Sequence, residues 1–91
     1  MLYTRYKWNR KLDLSLNKLS NISALKDLTN LRELNLNNNN VQDISGVKNL
    51  THLQKLDLKN SRPYDDPLGN KISDADKESL KNSLTKCSIT Y

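Results

Sequence analysis

The chain matches itself every 22 residues, and a period of that length restricts folding more tightly than any other feature of it. Leu31-x-x-Leu34-x-Leu36-x-x-Asn39-x-Val41 runs on to Ile44, Val47 and Leu50. One period earlier stand Leu12, Leu14, Asn17, Leu19, Ile22, Leu25 and Leu28. One period later Leu53, Leu56 and Leu58 restart the series. The register breaks at residues 61–69 and returns once those nine are set aside. Asn70-x-Ile72 then takes the place of Asn39-x-Val41, and Leu84-x-x-Cys87-x-Ile89 that of Leu31-x-x-Leu34-x-Leu36. Three departures accompany the pattern. Asn9 stands where the first Leu would fall, Ser23-Ala24 replaces the Asp43-Ile44-Ser45 register, and the third period carries the insertion.

The spacing inside one period has a direct physical reading. Leu-x-Leu alternation sends both leucines to one face of a strand and the intervening residues to the other. Asn at the following turn both donates to and accepts from backbone groups that would otherwise be buried unpaired. The apolar spacing then widens to three (Val41, Ile44, Val47, Leu50, Leu53), which fits a tight helical return segment. A single coil of this kind has too few apolar side chains to hold itself, so neighbours must stack into a solenoid. Composition agrees. Leucine supplies 17 of 91 residues and Phe none, a core of small layers without large rings.

The pattern L-x-x-L-x-L-x-x-N-x-L resembles the leucine-rich-repeat family, over about residues 9–91. The 22-residue spacing and the Asp43-Ile44-Ser45 element are most similar to the internalin-type subclass of bacterial surface proteins. The resemblance implies an α/β fold: a short solenoid with a parallel sheet on the inner face and short helical segments on the outer face. It also implies a non-enzymatic module for protein–protein interaction, bound through the inner curve.

Both ends of such a stack need covers. Ser73-Asp74-Ala75-Asp76 reads as a helix start with acids in its first turn. Residues 74–84 are therefore expected to form a capping helix, with Leu80 and Leu84 inward, and residues 86–90 a last strand with Cys87 in a leucine slot. Tyr3 and Tyr6 lie 22 residues before Leu25 and Leu28, which fits a lid over residues 1–8 that includes Trp8. The domain organisation expected is thus one domain over 1–91: lid 1–8, repeats 9–72 with the insertion 61–69, and cap 73–91. The N-terminal sheet edge is open to pairing with a second copy, a homodimer.

Charge and targeting features narrow the function classes. Residues 1–18 carry five basic groups and one acid, a net +4, whereas the remainder carries ten and nine. Arg5, Lys7, Arg10 and Lys11 alternate with Tyr3, Tyr6 and Trp8, which leaves open a stacking-and-phosphate patch for nucleic acid; no nucleic-acid-binding motif accompanies it. No run approaches the ~20 apolar residues of a membrane span. The first residues lack the apolar stretch of a signal peptide. The compartment expected is cytoplasmic if Met1 is the native start, and cell-surface or secreted if the chain is the terminal fragment of a larger internalin-like protein, where its role would be structural.

Catalytic and cofactor chemistry finds no support. His52 is the only histidine and Cys87 the only cysteine, so neither a metal-ligand set nor a disulfide framework is present, and no cofactor is expected. Nine Ser and eight Asp make a Ser-His-Asp coincidence uninformative. Gly46 and Gly69 form no phosphate loop. Asp65-Asp66 and Asp74-x-Asp76 lack the ordered spacing of a calcium loop and read as turn and helix-cap residues. Of the run 37–40 only Asn39 falls in the ladder register, and the others read as polar surface.

The candidate partner site is the set of strand residues facing away from the core. Three columns are expected: Lys11, Glu33, Lys55 and Lys86; Asp13, Asn35, Asp57 and Ser88; Ser15, Asn37, Lys59 and Thr90. The insertion adds Arg62 and Tyr64, on either side of Pro63 and ahead of Pro67, on a rigid scaffold. A solvated, purely structural sheet face and an insertion without a role are the alternatives.

Overall fold

The computed structural model describes residues 10–60 and 69–91. Four three-residue strands, β1 (Lys11–Asp13), β2 (Glu33–Asn35), β3 (Lys55–Asp57) and β4 (Ser88–Thr90), form one sheet in chain order, parallel throughout. Leu12, Leu34, Leu56 and Ile89 share one register position and point into the core. The first three strands are short because each is ended by its own last residue. The side chains of Asp13, Asn35 and Asp57 accept the amides of Ser15, Asn37 and Lys59 at 2.9, 3.0 and 2.9 Å, turning the chain out of the sheet.

The return segments are tight helical turns, as the three-residue apolar spacing implies. In the first, a 3₁₀ helix over Ser23–Asp27, Leu25 and Leu28 donate to Ile22 and Leu25. In the second, Val47 and Leu50 donate to Ile44 and Val47 in the same way. Their leucines and valines meet the strand leucines in a core that counts sixteen buried apolar residues among those described. Gly46 marks how closely the coils approach. A Cβ there would strike the backbone carbonyl of Ile22, whereas Ala24, one period earlier, is exposed and keeps its methyl.

Asn39 and Asn70 tie the coils together from inside the turns. Asn39 Oδ1 accepts from the amides of Asn17 (3.0 Å) and Leu19 (2.9 Å), and its Nδ2 donates to the carbonyls of Leu14 (2.9 Å) and Leu36 (3.0 Å). Asn70 repeats the arrangement one coil on. Its Oδ1 accepts from Val41, and its Nδ2 donates to Leu36 (2.7 Å) and Leu58 (3.1 Å).

The C-terminal end is closed by α1 (Asp74–Ser83). Ser73 caps it through Oγ, which accepts the Asp76 amide at 3.1 Å, and Asp74 and Asp76 complement the positive end of its dipole. Leu80 and Leu84 are buried beneath it. Lys77 Nζ sits 4.9 Å over the Tyr91 ring, fastening the helix to the end of β4.

Three expectations need correction. The closing strand is shifted by two residues: Ile89, and not Cys87, pairs in the Leu34 and Leu56 column. Cys87 donates to Leu84 as Leu31 does to Leu28 and Leu53 to Leu50, so it fills the earlier slot, and the step from there to the strand is shorter by one residue. Its side chain is half-buried. The turn register of the first coil is held by Asn21-Ile22-Ser23, where the Ser23 amide donates to Asn21 Oδ1 as Ser45 does to Asp43. The run 37–40 is structural beyond Asn39. Asn37 Nδ2 donates to Asp57 Oδ2, Asn40 Oδ1 accepts from Gly69, and Asn38 adopts a left-handed φ of 57°. The lid 1–8 and residues 61–68 lie outside the described residues.

Candidate functional site

The inner face of the sheet is built by the residues between the core leucines. The observed columns are Lys11, Glu33, Lys55 and Ser88 in the first, and Asp13, Asn35, Asp57 and Thr90 in the second. The two-residue shift of β4 removes Lys86 from the first column and moves Ser88 and Thr90 each one column forward. Ser15, Asn37 and Lys59 follow the strands as the third column. Together the strand residues line a shallow open groove of about 570 Å³. Arg62 and Tyr64 lie outside the described residues.

Electrostatics divides this face into tied and free groups. Lys11 Nζ lies 3.3 Å from Glu33 Oε2, with the lysine 78% exposed, an ion pair that water screens heavily. Asp13 is occupied by Ser15, whose hydroxyl (2.7 Å) and amide (2.9 Å) hold its carboxyl below the usual carboxylate range. Asp57 is occupied by Lys59 N and Asn37 Nδ2. Lys55 and Lys59 are exposed, and neither ammonium has an ion-pair partner among the described residues. Asp13 and Asp57 therefore shape the turns while these two lysines are left to solvent. The sequence carried a signal for this division, an Asp or Asn two residues ahead of Ser15, Asn37 and Lys59 at one constant interval, which reads as a turn former before it reads as a binding group.

No described residue of the face is a cysteine or a histidine. Burial pushes the Cys87 thiol up, away from the reactive thiolate. His52 is exposed on a turn at another edge of the molecule. Among the described residues no cluster of three or more His, Cys, Asp or Glu side chains is placed to hold a metal, and no helix is long and apolar enough to cross a membrane.

A parallel sheet of one strand per coil, an asparagine in each turn and leucines in fixed register define a leucine-rich-repeat solenoid. The family model for leucine-rich repeats (two copies) matches residues 10–49 and 29–77, and the chain belongs to that family. Its repeats are of the internalin type. The crystal structure of internalin C2 from Listeria monocytogenes strain 4b F2365 matches with 37% sequence identity and a TM-score of 0.64 over 86% of this chain. The match covers 29% of that protein, so the chain spans less than a third of its length. No curated protein matches the chain.

Proposed function

We propose that the chain is a non-enzymatic protein-binding module whose contact surface is the inner face of its sheet. The observation that carries this reading is the alignment of Lys11, Glu33 and Lys55, with Asp13, Asn35 and Asp57 beside them, along one open groove. Residues 1–91 act as one domain in this reading, with Arg62 and Tyr64 extending the contact from the insertion. The described face holds no aromatic side chain, and strong interfaces centre on aromatic or Arg anchors. The partner contact is accordingly polar and sensitive to salt. The likeness to an internalin supports a cell-surface or secreted location, within a larger protein of that kind.

Lys55 and Lys59 are the probes that separate binding from folding. Asp57 is a poor one, because its carboxylate holds the turn. Lys55→Glu with Lys59→Glu is expected to shift stability by under about 0.5 kcal/mol. Covalent cross-linking to neighbouring proteins in the native setting, compared between parent and double variant, checks the assignment. Proteins cross-linked by the parent and lost in the variant are the expected result. An unchanged set, with thermal melts also unchanged, places the contact elsewhere.

A further inference from the structure

A second groove, separate from the inner face, lies where the return segments feed the strands. It measures about 740 Å³ and is lined by Arg32, Thr51, His52, Gln54, Thr85 and Lys86, with Ser83 and Leu53 completing the wall. Among the described residues no carboxylate lines it. In residues 19–91, nine acids accompany ten bases, so composition does not impose an acid-free groove of this size.

Arg32 is held in place from both sides. Its amide donates to Arg10 O at 2.7 Å, and its carbonyl accepts from Gln54 (2.6 Å) and Lys55 (3.0 Å), which locks its backbone between the neighbouring coils. Its Nη1 is sealed from water without a hydrogen-bond acceptor, and no ion pair neutralises the side chain among the described residues. A guanidinium that has lost hydration on one arm and found no counterion is under-satisfied, and an anion at its open edge offsets that loss. Lys86 brings a second positive charge to the same wall, and Thr51, Thr85 and Gln54 bring neutral donors.

We propose that this groove binds a phosphate- or sulfate-type oxyanion. Arg32 supplies the planar fork and Lys86 the point charge. The donors come from three consecutive coils and so approach from several directions, which a tetrahedral group satisfies better than a planar carboxylate. The groove is several times larger than a bare oxyanion and all its described lining residues but Leu53 carry polar side chains, so the ligand is a phosphate carried on a hydroxylated body such as a sugar. Leu53, the only apolar lining residue among those described, is buried in the core and offers no seat for an acyl chain.

Titration of the full chain followed by ¹⁵N–¹H NMR tests the proposal, with inorganic phosphate, a hexose phosphate and the unphosphorylated hexose as ligands at constant ionic strength set by chloride. Saturable shifts confined to the Arg32 Nε–H and the amides of Thr51, His52, Thr85 and Lys86 are expected with both phosphates. A tighter apparent Kd for the ester identifies a carried phosphate, and equal values a free one. Arg32→Gln should weaken binding about tenfold or more, since one charge-assisted bond is lost. Lys86→Gln, at an exposed position that leaves folding intact, should weaken it by a smaller factor, and Lys55→Gln on the inner face should leave it unchanged. Shifts that do not saturate, that chloride reproduces, or that persist in Lys86→Gln at full affinity would overturn the site.

Discussion

The second and third coils differ in one respect that ought to matter: the third carries nine extra residues between its strand and its turn asparagine. The bonds made by that asparagine hardly differ. Asn39 spans from Leu19 to Leu36, and Asn70 spans from Val41 to Leu58, each accepting a backbone amide of the coil before and donating to carbonyls of two coils. The backbone bonds beside them repeat too, Asn40 to Leu19 in one and Lys71 to Val41 in the other, both 2.8 Å. The lesson is that coil geometry is set by where the asparagine lands and by the leucines above and below it. The length of chain between strand and turn is free to vary, because lengthening a connection adds only slowly to the entropy of closure.

Replacing the two asparagines separately is the strongest way to break this equivalence. Asn39→Ala orphans the amides of Asn17 and Leu19 and weakens the satisfaction of Leu14 O, at a cost of about 3 kcal/mol. Asn70→Ala orphans the Val41 amide and the Leu58 carbonyl, at about 2 kcal/mol, while Leu36 O keeps its bond from Asn39. Against a total stability that for a small domain is on the order of 5–10 kcal/mol, both lower the melting temperature by many degrees. Thermal denaturation followed by circular dichroism reads both. If Asn70→Ala melts like the parent while Asn39→Ala does not, the interrupted coil is held by something other than its asparagine.

A smaller effect, of opposite sign, sharpens the comparison from the first coil. Leu16 occupies the position of Asn38 one period earlier, in the same left-handed conformation (φ 60° and 57°), and is 71% exposed. Asn tolerates that conformation and Leu does not. Leu16→Asn should therefore stabilise the fold by about 0.5–1 kcal/mol, a rise of a few degrees in the melting temperature. A fall would mean that the Leu16 side chain makes a contact its exposure does not suggest.

Much of this was legible beforehand because the information is periodic. The core positions from Leu12 to Leu58, the turn role of Asn39 and the reappearance of its partner at Asn70 all follow from one spacing. What escaped follows from the ends and from chemical equivalence. The closing strand mimics the Leu-x-x-Leu-x-Leu spacing two residues early, because Leu84, the residue that caps α1, closes the return segment as Leu28 and Leu50 do, while the same Leu84 also scores as the start of a strand motif. Asn21-Ile22-Ser23 was hidden by the exchange of Asp for Asn, although either side chain can accept the Ser amide. The inner face was legible as a set of columns, and the constant Asp or Asn two residues ahead of Ser15, Asn37 and Lys59 marks the turn formers, but a reading by columns alone treats them as binding groups. The Arg32 groove draws its residues from three coils, and no local motif announces such a site.

The claim that the asparagine, and not the chain length, defines a coil is tested most directly by amide hydrogen exchange in the unmodified protein. The Leu19 amide is closed by Asn39 and the Val41 amide by Asn70, at the same 2.9 Å. Protection of both, with opening free energies equal to within about 1 kcal/mol, is the result expected if the two coils are held alike. Val41 exchanging at the rate of an open surface amide while Leu19 stays protected would contradict it.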